Sequence, residues 1–154
     1  MAGPKTSRKI ESVNLPSAAP MILRSEAVPG VSLRKTEDPA GGVYFEIRAA
    51  KKSIGRALLT FRESAPIGCP QNTGTLYTIR VSPQYQGRGI GKWVLDEVIK
   101  SAGEQGLEHL VLEVNPKNAR AKHIYSTRGF VLLSAPLWSN IQGLQMMELD
   151  INRN

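Results

Sequence analysis

The sequence predicts an α/β (α+β) domain built around one sheet, and three observations point there. Short strand-like segments fill the first half of the chain. In the second half, two helical segments that begin at turns and stop at glycines alternate with apolar runs of strand length. The 154 residues, 41% of them hydrophobic, suit a single core rather than two domains or a disordered chain.

The elements follow in order. Met1–Pro20 holds prolines, serines and little apolar periodicity, and reads as a flexible N-terminal arm; residues 21–154 form the domain. Extended pieces are expected at Met21–Ala27 and Val31–Thr36, separated by Pro29-Gly30. Strands at Val43–Arg48 and Ile54–Arg62 form a hairpin around Lys51-Lys52. Glu63–Thr73, with its prolines and glycine, is a loop. Thr75–Ser82 alternates as a half-buried strand does, and Pro83 ends it. Ile90–Ala102 places Ile90, Trp93, Val94, Val98, Ile99 and Ala102 at helical spacing, with Gly103 and Gly106 to stop it. Leu107–Val114 reads as a buried central strand. Asn115-Pro116 opens a second helix running to Thr127, with Pro116 in its first turn and Gly129 at its end. Phe130–Ser134 and Leu144–Ile151 close the sheet around a Pro136–Gly143 loop.

Composition narrows the function. Cys69 is the only cysteine, so there is no internal disulfide and no cysteine metal cage, which leans towards a reducing, cytoplasmic setting. No apolar run approaches the ~20 residues that span a bilayer, so no membrane partner is expected, and the N-terminus lacks a secretory h-region. A net charge of +7 suggests an anionic partner, and a polyphosphate cofactor, an acidic acceptor or plain solubility accounts for it equally well. Nucleic acid is set aside as the main one, because the basic residues are scattered and no recognition motif accompanies them.

Chemistry concentrates between Val81 and Lys92. A strand runs into a turn with Gly87, Gly89 and Gly91, and a helix follows at once. Glycines there let the backbone approach a ligand and take left-handed conformations. The first helical turn has unpaired N–H groups and partial positive charge, suited to phosphate oxygens, with Arg88 and Lys92 beside it. The alternative is a glycine-rich connection with no ligand. No Gly-Lys-Ser/Thr follows, which excludes a P-loop, and the late position argues against a dinucleotide fold.

Gln86-x-x-Gly89-x-Gly91, followed by Asn118-x-x-Ala121-x-x-x-Tyr125-x-x-x-Gly129-Phe130, resembles the GNAT superfamily of acyl-CoA N-acyltransferases, nearest in motif to the ribosomal-protein alanine acetyltransferase type. The resemblance covers residues 76–131 closely. It implies a mixed, mostly antiparallel sheet of six to seven strands with flanking helices, and acetyl-CoA as co-substrate with no metal. It also implies that Ile79 and Val81 offer backbone to the pantetheine arm, and that Gln86, Gly87, Arg88, Gly89, Ile90, Gly91 and Lys92 wrap the pyrophosphate. Asn118 would bond near the thioester, and Tyr125 would be the acid that protonates the leaving sulfur. A phenol of pKa ~10 is protonated at neutral pH and suits a thiolate of pKa about 8.5. The plain alternative makes Tyr125 a helix residue packed on the sheet.

The resemblance also implies Glu113, twelve residues before Tyr125, as the base acting through water. The alternative is a strand carboxylate that faces solvent or pairs with a cation. His109 and His123 lack metal-ligand or triad partners and read as surface residues, and Cys69 as a bystander. Trp138 either lines the acceptor entrance or packs as an ordinary aromatic. The family's two helices between its first two strands are absent or reduced here, which leaves an open acceptor face. A protein or peptide amine is the leading acceptor. A small amine (polyamine, amino sugar or antibiotic) and a non-catalytic CoA-binding scaffold are the alternatives, with a monomer or homodimer as the assembly.

Overall fold

The computed structural model describes residues 20–61, 69–133 and 143–153. Trp138 and nearly all of the N-terminal arm fall outside them. The strands are β1 (Met21–Arg24), β2 (Val31–Asp38), β3 (Gly42–Ala49), β4 (Lys52–Thr60), β5 (Thr73–Val81), β6 (His109–Val114), β7 (Val131–Leu132) and β8 (Gln145–Asp150). The helices are α1 (Ile90–Glu104) and α2 (Ala119–Thr127). The strands make one eight-stranded sheet in the order β1-β2-β3-β4-β5-β6-β8-β7. Every neighbouring pair is antiparallel except β5 and β6. The mixed, mostly antiparallel sheet is thus present, and the short edge pieces β1 and β7 extend its width.

One face of the sheet carries the core. Leu33, Ile47, Phe45, Leu59, Leu76, Leu112 and Leu149 lie on it and pack against Ile90, Val94, Leu95, Val98 and Ala102 of α1. Each such fully buried aliphatic contributes roughly 1.5–3 kcal/mol. Ala121, Ile124 and Tyr125 of α2 border the same core. Arg128, just after α2, reaches Asp96 of α1 with two N–H···O bonds, at 2.5 and 3.1 Å. That pair fixes the second helix against the first.

No helix lies between β1 and β5 among the described residues, and none of the described elements covers the other face of β2–β5. It carries Tyr44, Leu58 and Tyr77, at 42, 38 and 49% exposure, in one cross-strand row.

Strand ends shift by up to three residues, and two helix boundaries differ from the sequence expectation. Gly103 lies inside α1, which ends at Glu104, and the stop is Gly106 at φ 82°. Only Gly106 takes the left-handed conformation that closes a helix. The second helix begins at Ala119 rather than Pro116. Asn115 Oδ1 accepts the Lys117 N–H at 2.9 Å, and the Asn118 N–H donates to the Asn115 carbonyl, so the chain completes a turn before the helix starts.

Candidate active site

The site begins with a local irregularity in β5. Arg56 of β4 is opposite Arg80, but Leu58 is opposite Tyr77, so β5 holds one extra residue between them. A bulge of this kind bends its strand and reverses which face later side chains take. Leu76 faces the core, and beyond the bulge Ile79 and Val81 face that same side. The parallel ladder to β6 stops at Leu76 and Leu112. Past that point β5 and β6 part, leaving the end of β5 unpaired on the β6 side.

The turn after β5 is tied back to it. The Ser82 N–H donates to the Ile54 carbonyl at 2.7 Å, and Gln86 Nε2 donates to the Val81 carbonyl at 2.9 Å. Gly87 and Gly89 have φ of 81° and 85°, a region that costs other residues roughly 1 kcal/mol or more. Gly89 is the N-cap of α1 and has no side chain to occupy the helix end. The first intrahelical bond runs from Trp93 N–H to the Gly89 carbonyl at 3.1 Å. The N–H groups of Ile90, Gly91 and Lys92 therefore have no helical acceptor. A Cβ at Gly91 would meet nothing within 4 Å. The space in front of those amides is open.

Here a cleft of about 440 Å³ runs between the end of β5, the start of α1 and α2. Its volume falls in the range of small-molecule sites. Ile79, Val81, Gln86, Gly87, Gly89, Ile90, Gly91, Lys92, Asn118 and Tyr125 all line it. Two residues singled out from the sequence do not. Arg88 turns its guanidinium over the Tyr85 ring, 5.4 Å from the centroid, so it adds charge at the mouth. Glu113 is exposed and alternates with the core residues Leu112 and Val114, which puts it on the opposite face of the sheet.

Asn118 caps α2 by accepting the Ala121 N–H on Oδ1 at 3.1 Å, which leaves its side-chain N–H donors for a ligand in the cleft. Tyr125 packs against Phe130, ring centroids 5.7 Å apart. Burial raises its phenol pKa above the ordinary value, so it is a proton donor throughout the neutral range.

Arg120, which sequence reasoning missed, and His123, read as a surface residue and indeed exposed, also line the cleft. Both occupy unspecified positions of the Asn118–Tyr125 motif, and only the packing of α2 decides that they face the ligand side. Arg120 Nη2 would lie 3.6 Å from a Cβ at Gly87, so it stands beside the glycine turn. His109, read from the sequence as a surface residue, is half-buried with Nδ1 3.2 Å from Glu148 Oε2. Burial and then the Glu148 carboxylate push the Cys69 thiol pKa up, which suppresses its nucleophilicity. Among the described residues, no three His, Cys, Asp or Glu side chains gather as metal ligands. No helix there is long and apolar enough to cross a membrane.

The acetyltransferase (GNAT) family matches this chain over residues 14–130. The chain belongs to that family. Over 56 residues it is 39% identical to the ribosomal protein bS18-alanine N-acetyltransferase of Escherichia coli K12, covering 36% of this chain and 38% of that protein. It is 36% identical over 61 residues to a mycothiol acetyltransferase of Propionibacterium freudenreichii, covering 40% of this chain and 20% of that protein. The matched stretch thus spans well under half of either relative. A crystal structure of PaiA N-acetyltransferase from Thermoplasma acidophilum, in complex with coenzyme A, superposes with a TM-score of 0.58 over 71% of this chain and 61% of that one, at 21% identity. At that identity the likeness is one of fold. In this GNAT chain the glycine turn, the open amides and the cationic Lys92 and Arg120 are a donor set suited to a pyrophosphate.

Proposed function

We propose that the chain transfers an acetyl group from acetyl-CoA to a primary amine of a protein or peptide. The observation that carries this reading is the parting of β5 and β6 beyond Leu76 and Leu112. It opens the sheet between the helix-covered face, where the cleft and Tyr125 lie, and the opposite face, where Glu113 stands. Two substrates can then meet through the gap from opposite sides.

The free amides of Ile90, Gly91 and Lys92, with the Lys92 and Arg120 cations, hold the diphosphate. The unpaired edge of β5 at Ile79–Val81 binds the amide-containing arm, and the Asn118 side-chain N–H orients its reacting end. The acceptor must be a neutral amine to attack. That costs little for an α-amino group of pKa about 8, and roughly 4 kcal/mol at pH 7.4 for a lysine of pKa about 10.4. Glu113, through a water, takes the proton the nitrogen sheds as the C–N bond forms. As the C–S bond breaks, Tyr125 donates its phenolic proton to the sulfur and recovers one from solvent. The products are an amide and a free thiol, with protons and charge balanced.

The match to a mycothiol acetyltransferase supports a small-molecule amine as the second reading. Release of free thiol in the presence of peptide amines or of small amines distinguishes the two. Tight coenzyme A binding without transfer to either would mark a scaffold instead.

A further inference from the structure

Resting on the acceptor reading above, we propose that the uncovered face of β2–β5 docks an acidic segment of the acceptor polypeptide and so selects amines carried by acidic, apolar-containing chains. Two adjacent cross-strand rows make the surface. Tyr44, Leu58 and Tyr77 form one, each more than a third exposed. Arg34, Glu46, Arg56 and Arg80 form the next. Strands lie ~4.8 Å apart, so each row is a continuous stripe across the sheet.

The charges are unbalanced. Glu46 Oε2 is engaged by Arg48 Nη1 at 3.1 Å, and among the described residues no ion pair is made by Arg34, Arg56 or Arg80. Arg56 and Arg80 stand directly opposite each other, an arrangement that destabilises a sheet unless an anion lies between the charges. Asp38, at the far end of β2, accepts the Ala40 N–H at 2.9 Å. The face therefore presents cations beside an apolar stripe, which complements carboxylates interspersed with apolar side chains.

The stripe also leads to the chemistry. Arg80 lies between Ile79 and Val81, whose side chains line the cleft on the other side of the sheet. A chain held along the Arg row thus ends at the gap between β5 and β6. The same cations repel polyamines and aminoglycosides. A single-stranded nucleic acid would match the charges and the tyrosines, but its base amines are weak nucleophiles for the acyl group that the gap reaches.

The test uses the full chain saturated with coenzyme A and short synthetic peptides of equal length with a free N-terminus, acidic, neutral or basic beyond the first residue. Dye-labelled peptides are titrated by anisotropy on that complex, and turnover is followed separately by thiol release with acetyl-CoA in place of coenzyme A. The acidic peptide should bind about tenfold or more tightly than the basic one, with salt weakening the difference. Arg34→Glu/Arg56→Glu should reverse that order through KM, while coenzyme A affinity and acetylation of a small amino-acid amide stay unchanged. Equal binding of acidic and basic peptides, or an unchanged order in the double variant, would overturn the proposal. So would a single-stranded oligonucleotide that displaces the acidic peptide and binds more tightly. If no amine is acetylated but the acidic peptide binds as stated, the transfer reading fails and the docking surface stands. If all peptides are acetylated alike, only the docking surface fails.

Discussion

A Cβ built on Gly55 of β4 would overlap the carbonyl oxygen of Arg80 on β5. The two backbones come this close just beyond the bulge, at the point where β5 bends away from β6. Glycine at 55 is therefore part of what forms the gap. Gly55→Ala should push β5 outward and cost about 1–3 kcal/mol of stability. Thermal unfolding will show the loss, and acetyl-CoA affinity should fall with it.

Gly91 separates ligand binding from folding. It lies in the first turn of α1, with open space where a side chain would project. Gly91→Asp should keep or slightly raise stability, because a carboxylate suits a helix N-terminus. It should weaken acetyl-CoA binding by about tenfold or more, because the same carboxylate occupies the place of a phosphate. Parallel melting and calorimetric titration will test this.

Tyr125→Phe should lower turnover by about 10–1000-fold with little change in coenzyme A affinity. Full activity in this variant would leave the acid elsewhere.

The pH dependence has a fixed sign. Burial raises the folded-state pKa of Tyr125, so an unfolded chain loses that proton first, near ~10. The stability associated with this group is complete below ~10 and is lost as pH rises through the higher folded value. Ultraviolet titration of the wild type minus Tyr125→Phe should place the Tyr125 transition above ~10. The alkaline fall in activity due to this group should lie there too.

Asn118 has two roles that substitutions can separate. Asn118→Ala removes the cap on Ala121 and should cost about 1 kcal/mol. Asn118→Asp keeps the acceptor oxygen and the cap, but loses the side-chain N–H and adds a negative charge to the cleft. It should melt near the wild-type temperature and bind acetyl-CoA more weakly.

Much of this was legible in the sequence because local rules and tertiary structure agree. The α1 periodicity and the glycines at 87, 89 and 91 locate the helix and its open N-terminus directly. The bulge also left a trace. Leu76 has one parity and Ile79 and Val81 the other, so no regular strand could put all three on one face. The gap itself was not legible, since it depends on where the β5–β6 ladder stops. Pro116 attracted the helix start because proline suits a first turn, yet the Asn115 and Asn118 side chains set the turn and the cap. The place of Arg120 and His123 at the cleft was not legible, because nothing local says which side of α2 meets it. The placement of Glu113 on the opposite face from Tyr125 likewise follows from sheet pairing.

The most direct measurement is a titration of the isotope-labelled protein with acetyl-CoA, read at individual backbone amides by nuclear magnetic resonance. The N–H signals of Ile90, Gly91 and Lys92 should shift saturably and most strongly, with Tyr125 responding at the other end of the cleft. Absence of saturable binding, or binding that leaves those three amides unmoved, would contradict the site described.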